Sequence, residues 1–211
     1  MKTRFFLYYE LLMFFLFCSG CTLFKTTPDR TRLFDIGFRG TQSAMSSVDS
    51  AKICLILGSF PDYLDGSPII TKIGEHELKN NPRYRWAKPL SETILYIVKR
   101  SILQSFSKVY VYEFPKDTMD KIDFTLCLDV DGLEICEVTQ RIIFKGTWTF
   151  LDAKQRNITH APFEFCESFD DFSDRYGEIV AKVEQVIHHL GDAIVKEMDL
   201  IFLKRITGNN P

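Results

Sequence analysis

The histidines and cysteines are the side chains with the most potential for metal or redox chemistry. His188 and His189 are adjacent, so on a helix their side chains diverge by about 100° and cannot hold one metal ion together. His76 and His160 each lack a second ligand at a suitable spacing. After residue 21 no C-x-x-C pair occurs, which argues against a zinc knuckle or a thioredoxin-type pair among Cys54, Cys127, Cys136 and Cys166. The sequence therefore predicts no metal site and no cofactor.

Compact catalytic motifs are missing as well. The sequence contains no Gly-x-Ser-x-Gly nucleophile elbow, no phosphate-binding loop and no Gly-x-Gly-x-x-Gly fingerprint. The acidic stretch at 167–174 lacks the spacing of a calcium loop and suits the start of a helix, where carboxylates interact favourably with the helix dipole. An enzyme of this size would normally carry a nucleophile–base pair or a metal cluster. We therefore predict that the protein is not an enzyme.

The beginning of the chain has the order of features found in an export signal. Lys2 and Arg4 are followed by a short apolar stretch, and two small residues then precede Cys21. As a helix, the apolar stretch would span only about 20 Å, less than the ~30 Å hydrocarbon core of a bilayer. Residues 1–20 are therefore predicted to form a cleaved signal peptide and not a membrane span.

Cys21, with Ser19 and Gly20 before it, resembles the cysteine of a bacterial lipobox. There the thiol receives a diacylglycerol, the signal is removed and the new amino terminus is acylated. Three acyl chains anchor a protein far more firmly than one, since each buried methylene contributes about 0.8 kcal/mol. Thr22 follows in place of Asp, which by the usual sorting preference favours the outer over the inner membrane. The alternative is an ordinary cleaved signal, because Cys18 occupies the position where a lipobox usually has Leu.

The composition is that of one ordinary globular domain. Of the 211 residues, 45% are apolar and 26% are charged. A net charge of -2 and an isoelectric point near 6.1 give no reason to expect nucleic acid as a partner. We expect a lipidated tether at 21–32, the domain at 33–205 and a flexible tail at 206–211.

Hydrophobic periodicity predicts several strands and two helices. A continuously apolar segment at 53–57 is typical of a strand buried on both faces. One helix is predicted to begin at Pro89, and a long one covers 173–203, where apolar residues recur at three- and four-residue steps and Gly191 is a candidate for a kink. Further strands are expected at 33–38, 69–73, 77–79, 109–112, 124–130, 142–151 and 159–166, with an irregular crossing at 58–68. The order favours an α/β domain in which helices pack on one mixed sheet.

Two pairings compete for the strand that contains Cys127. A two-residue turn at 131–132 would place Cys127 directly opposite Cys136, within disulfide range. A longer connection, with pairing resumed from Arg141, would extend the strand only to about residue 133 and leave Cys136 in a loop. We favour the longer connection, because the tight turn would put Glu137 and Arg141 on the apolar face.

Three stretches of the domain resemble one known family. Residues 61–71, PDYLDGSPIIT, resemble its P-x-Y-L-D-R-P-x-I-V-T crossing, and residues 85–90, RWAKPL, resemble its R-W-A-E-P-L helix entry. Residues 144–152, FKGTWTFLD, resemble a strand and turn that end in W-x-L-x-D. Together with the signal and the terminal helix, this is the pattern of the ABC-type transport auxiliary lipoproteins, the paraquat-inducible protein C family. The departures are Gly66, where the family usually has Arg, and Lys88, where it usually has an acidic residue.

The resemblance implies a fold, a location and a partner. The fold is a three-layer α/β/α domain around one mixed sheet, similar to the amino-terminal domain of TolB. The function is that of a non-catalytic lipoprotein on the periplasmic side of the outer membrane, where it docks the MCE-domain protein of an ABC-type lipid transport system. Ring-like homo-oligomers are known in the family, so self-association is an expectation for this chain too.

Tyr63, Leu64, Arg85 and Trp86 lie in the first two motifs and are the residues that we expect to contact this partner. Tyr63 and Trp86 are aromatic residues of the kind that anchor interfaces, with packing on their own core as the alternative. Arg85 suits a carboxylate or a lipid phosphate, with a solvated side chain beside Trp86 as the alternative. Two other functions stay open at this point: an assembly lipoprotein whose terminal helix binds an envelope protein, and a lipid carrier with an internal apolar cavity.

Overall fold

Four strands, an α-helix, four further strands and a second α-helix follow one another along the chain in the computed structural model, which describes residues 30–40, 50–115, 121–170 and 176–206. The predicted signal peptide at 1–20, Cys21, most of the tether at 21–32 and the tail beyond residue 206 lie outside the described residues. The described part of the chain includes almost all of the predicted domain.

The strands are β1 (Arg32–Phe34), β2 (Ala51–Leu57), β3 (Pro68–Lys72), β4 (Leu78–Trp86), β5 (Val109–Glu113), β6 (Phe124–Cys136), β7 (Arg141–Asp152) and β8 (Asn157–Ser168). The α-helices are α1 (Leu90–Ser105) and α2 (Tyr176–Ile206), and a 3-10 helix, Asp62–Leu64, lies between β2 and β3.

One mixed sheet contains all eight of these strands, and β6 is its centre. One edge of β6 pairs in parallel with β2 and, at its end, with β3, while the other edge pairs with β7 in antiparallel orientation. β5 extends the sheet beyond β2, β8 extends it beyond β7, and β4 and then β1 extend it beyond β3. The α/β class with one mixed sheet is confirmed.

Both described α-helices cover the same face of the sheet, because they contact each other and share one core. Phe202 of α2 packs edge-on against Phe106, directly after α1, and against Phe124 of β6. Of the α/β/α layers that the resemblance implies, the described residues thus contain the sheet and one helical layer. The opposite face of the sheet, called the open face below, carries the candidate site.

The apolar stripe of α2 packs in this core. Its buried members recur at the predicted three- and four-residue steps: Ile179, Val183, Val186, Ile187, Leu190, Ile194 and Met198. Opposite them, alternate residues of the central strands are fully buried, among them Leu126, Leu128, Phe144 and Phe150. Each such side chain stabilises the fold by roughly 1.5–3 kcal/mol through burial. The apolar stripe of α2 is therefore part of the core.

The favoured long connection between β6 and β7 is confirmed, with one correction. β7 pairs back from Arg141 as predicted, but β6 continues to Cys136. Cys136 therefore lies in the strand, where it pairs with Arg141, and not in a loop. The cause is a β-bulge at Asp131, which shifts the alternation by one residue. Leu133 and Ile135 therefore return to the helix-covered face, where both are buried.

Gly191 lies against Ser101 of α1, and α2 continues through it. A Cβ at this position would overlap Ser101 Oγ of α1 and would lie 3.1 Å from Ser101 Cβ. The glycine that the sequence marks as a candidate for a kink is therefore a point of tight helix packing, where only a hydrogen atom fits beside the Ser101 side chain.

We expect Gly191→Ala to lower the free energy of unfolding by about 1–2 kcal/mol, because overpacking outweighs the gain in helix propensity. Urea unfolding of the single variants and of the double variant Ser101→Ala/Gly191→Ala measures the effect. The double variant should lose less stability than the sum of the two single variants, since the overlapping hydroxyl is gone. Simple additivity would contradict the proposed contact.

Candidate functional site

A charged centre on the open face is formed by side chains of β3, β6 and β7. Lys72 Nζ lies 3.1 Å from Glu134 Oε2, and Lys145 Nζ lies 3.6 Å from Glu134 Oε1. One carboxylate is thus held between two ammonium groups, all three of them half-buried. Sequence reasoning missed this centre, because the bulge at Asp131 places Glu134 on the face opposite to the one expected from simple alternation.

Tyr63, on the 3-10 helix, reaches over this centre. Its side chain is 43% exposed, and its hydroxyl lies 3.8 Å from where a Cβ of Gly132 would be. Burial and the Glu134 carboxylate raise the pKa of the Tyr63 hydroxyl, while Lys72 opposes them. The phenol therefore stays protonated at neutral pH and presents an aromatic ring with a hydrogen-bond donor, a combination suited to an interface.

The segment that carries Tyr63 is fixed at two points. Leu64 is 6% exposed and packs in the core. Asp65 Oδ1 accepts hydrogen bonds from the backbone N–H of Ser91, at 3.2 Å, and from its hydroxyl, at 2.6 Å. The crossing is thereby held at the start of α1, which gives Tyr63 a defined position.

Arg85 and Trp86 lie at the end of β4, so they belong to a regular strand. The backbone N–H of Trp86 donates to the carbonyl of Ser67 at 2.7 Å, and the residue is 5% exposed, with its indole in the core. Arg85 is half-buried, and its Nε donates to the carbonyl of Pro82 at 3.0 Å. Of the four predicted partner residues, Tyr63 and Arg85 reach the surface, while Leu64 and Trp86 pack inside the chain. Their contact with a partner stays a prediction.

The first two family-like motifs contact each other in the fold. Besides the bonds of Asp65 and Trp86, Pro68 is the register neighbour of Arg85 in the pairing of β3 with β4. Lys88, which departs from the family pattern, lies 3.4 Å from the Asp35 carboxylate. The residues of both motifs thus form one set of contacts, called the joint below, that connects the crossing at 58–68, the end of β4 and the start of α1.

The third motif ends in a turn that Asp152 organises. Its carboxylate accepts hydrogen bonds from the backbone N–H groups of Lys154 and Arg156, and it pairs with the Arg156 guanidinium at 2.6 Å. These hydrogen bonds from Arg156 and Lys154 lower the pKa of the Asp152 carboxyl. The motif therefore fixes the β7–β8 turn and requires no catalytic role for its acid.

The histidines make local contacts. His160 Nδ1 lies 2.9 Å from Thr149 Oγ1, and His188 Nε2 lies 3.2 Å from the Gly37 carbonyl. His189 Nδ1 is 4.0 Å from a Glu167 carboxylate oxygen. Within the described residues, no group of three or more His, Cys, Asp and Glu side chains is arranged to hold a metal ion. In the same part of the chain, no helix combines the length and the apolar character needed to cross a membrane.

Four cysteines are described, and each is a free thiol. Cys127 pairs with Thr149 and Cys136 with Arg141, so the two are not opposite each other. Burial raises the pKa of Cys54 and Cys127. Burial also acts on Cys136, but hydrogen bonds from Thr139 and Val138 outweigh it and lower its pKa. Cys166 is exposed, and Arg141 Nη2 lies 3.0 Å from its Sγ.

We expect native-state labelling with a thiol reagent at about pH 8 to modify Cys166 first and Cys54 last, because accessible thiolate sets the rate. The rates should differ by about tenfold or more, and unfolding should release all four thiols for reaction. Differential alkylation followed by peptide mapping assigns each rate. Protection of Cys127 and Cys136 after unfolding without reductant would contradict the observed register.

The family of the chain follows from comparison with known proteins. The sequence profile of the ABC-type transport auxiliary lipoprotein component family matches residues 41–195. This range includes most of the sheet, α1 and the greater part of α2. The chain belongs to this family. No curated protein sequence matches it.

Solved structures share the fold. A Xanthomonas campestris protein of the DUF330 family aligns with a TM-score of 0.64 at 18% identity, covering 84% of this chain and 97% of that one. An uncharacterized protein aligns with a TM-score of 0.61 at 17% identity, covering 74% and 99%.

Proposed function

We propose that this chain is the non-catalytic lipoprotein of an MCE-type ABC lipid transport system. Lipid on Cys21 holds it on the periplasmic side of the outer membrane, and the domain docks the periplasmic MCE component there. The single observation that carries the proposal is the family match over residues 41–195, since members of this family are auxiliary lipoproteins of ABC-type transport.

The open face offers a docking surface for the MCE component. It presents the partly exposed ring of Tyr63 beside Lys72, Glu134 and Lys145, which together combine an aromatic anchor with charges of both signs. Because the crossing is fixed at Leu64 and Asp65, the ring loses little conformational freedom on binding. A preorganised aromatic side chain of this kind is a typical interface hot spot.

The core of the domain argues against the alternative of a lipid carrier. Between the helices and the sheet lie fully buried aromatic side chains, Phe106, Phe144 and Phe150, at the position where a carrier would need an apolar cavity. Docking, which uses the surface, agrees better with this packing than enclosure of a lipid does.

Co-purification from crosslinked membranes tests the docking role. We expect the wild-type protein to retain the MCE protein of its own cell and Tyr63→Ala to retain about tenfold less, since loss of an aromatic hot spot typically costs more than 1 kcal/mol. Tyr96→Ala is the matched control, because Tyr96 is 48% exposed on α1 and therefore lies on the helical side. No MCE protein with the wild type, or equal loss with both variants, would contradict the proposed docking face.

A further inference from the structure

Positive charge is concentrated at the edge of the sheet where the described chain begins. Residues 30–35 and 82–88 contain five cations, Arg30, Arg32, Arg83, Arg85 and Lys88, and one carboxylate, Asp35. Five minus one gives a net charge of +4 in this short region, whereas the whole chain carries -2. We call Leu33 and the three arginines of β1 and β4, which are Arg32, Arg83 and Arg85, the basic edge.

The pairing of β1 with β4 brings the members of the basic edge together. The parallel register places Arg32 beside Tyr84 and Leu33 beside Arg85, so the residues at 32–33 and 84–85 are close neighbours. Leu33 is 67% exposed, although it is a large apolar side chain. An exposed leucine among arginines forms an amphipathic surface.

The guanidinium groups of the basic edge are not neutralised within the described part of the chain. Arg32 lies 5.4 Å from the centre of the Phe34 ring, and Arg85 donates to a carbonyl, while the carboxylate of Asp35 pairs with Lys88. Among the described residues, none of the three arginines forms an ion pair with a carboxylate. Their charge is therefore available to an external anion.

We propose that the basic edge lies on an anionic phospholipid bilayer. Guanidinium groups bind lipid phosphates through two parallel hydrogen bonds, and basic residues next to a membrane anchor are attracted by the negative surface. Leu33 enters the boundary between headgroups and acyl chains. The inference rests on the proposed lipidation of Cys21, because the anchor brings this edge to the membrane.

The position of the anchor supports this orientation. Cys21 precedes Arg30 by nine residues. Nine residues reach at most about 30 Å even when fully extended, so the anchor keeps the basic edge close to the bilayer. A surface held at such a high effective concentration needs only weak individual contacts, and three arginines supply them. The β1 end of the sheet then contacts the lipid, and Tyr63, on the crossing between β2 and β3, stays available to a protein.

Hydrogen exchange of the mature lipidated protein in vesicles tests the orientation. We expect exchange of residues 30–34 to slow by about tenfold in vesicles with 30% phosphatidylglycerol relative to pure phosphatidylcholine, and 0.5 M salt to reverse the effect. The double variant Arg32→Glu/Arg83→Glu should lose this protection. Arg85 stays unchanged in it, because Arg85 is also a predicted partner residue.

The control variant Lys108→Glu/Lys154→Glu reverses two exposed charges elsewhere and should keep the protection. Equal exchange in both vesicle types, or protection that requires an added MCE protein, would overturn the proposal. If mass spectrometry finds Cys21 unmodified, the proposed anchor is wrong, but the proposal for the basic edge is not yet decided. The unmodified protein is then mixed with the same vesicles, and its binding is measured by co-sedimentation. A salt-sensitive preference for the anionic vesicles would then still support the basic edge, and equal binding would overturn it.

Discussion

Replacing Gly146 with alanine is expected to destabilise the domain more than the same replacement at Gly191 does. Gly146 lies in β7 between Val130 of β6 and Phe163 of β8. A Cβ at this position would overlap the backbone carbonyl oxygen of Asp129 and would lie 2.8 Å and 2.9 Å from two ring atoms of Phe163. The carbonyl belongs to the strand backbone next to the bulge, so it cannot move away without breaking the pairing of β6 with β7.

The ring of Phe163 is equally constrained, because it stacks on Trp148 and packs edge-on against Phe144. We therefore expect Gly146→Ala to lower the free energy of unfolding by about 3 kcal/mol, and the midpoint of thermal unfolding by roughly 6–12 °C. Circular dichroism during heating and urea unfolding measure both quantities.

Gly177→Ala is the matched control for this prediction. Gly177 is exposed near the start of α2, and a Cβ there would have no neighbouring atom within 4 Å. Alanine has the higher helix propensity, so this variant should be neutral or slightly more stable. A Gly146→Ala variant as stable as Gly177→Ala would show that Phe163 and the Asp129 carbonyl do not occupy the space above residue 146.

Periodicity predicted the elements well, because burial on one face of a strand or helix repeats every two or every 3.6 residues. The strand predicted at 53–57 and the helix predicted to begin at Pro89 differ from the structure by one or two residues at their ends. The order of strands in the sheet was not predictable in this way. The position of β6 between β2 and β7 depends on contacts between residues far apart in the sequence, and no local pattern records them.

The bulge at Asp131 shows how the turn preference of a dipeptide can compete with the burial of residues elsewhere in the strand. Asp131-Gly132 is a strong turn signal, but the structure uses it as a bulge inside a long strand. The reason lies in Leu133 and Ile135, whose pairing with Phe144 and Ile142 buries four apolar side chains against the helices. The apolar area gained by this register outweighs the preference of the dipeptide for a tight turn.

The candidate site was predictable in part for a similar reason. Sequence motifs identified the segments around Tyr63 and Arg85, but hydrophobicity alone does not distinguish a core residue from an interface residue. Leu64 and Trp86 are buried because the joint between the crossing and β4 folds them inward. The charged centre of Lys72, Glu134 and Lys145 combines three strands, and only the tertiary pairing brings them together.

If Cys21 carries the proposed lipid, replacing it with alanine is expected to remove the membrane anchor completely. Without the thiol no diacylglycerol can be attached, and the later acylation of the amino terminus is lost as well. Each buried methylene of these acyl chains would contribute about 0.8 kcal/mol of membrane affinity. The measurement is the mass of the amino-terminal peptide together with incorporation of labelled palmitate. Fractionation alone is insufficient, because an uncleaved signal peptide would also retain the chain at a membrane.

Cys18→Ala is the matched control, because it changes the same side chain three residues earlier, at the position where a lipobox usually has Leu. We expect this variant to keep palmitate and to begin at the modified Cys21, since residue 18 contributes recognition and not the acceptor sulfur. Loss of palmitate in Cys18→Ala together with its retention in Cys21→Ala would move the anchor to residue 18. An unmodified amino terminus in the wild type would show that the signal is an ordinary one. The lipid anchor would then no longer explain the tether, the orientation of the basic edge or the location at the outer membrane, because all three depend on it.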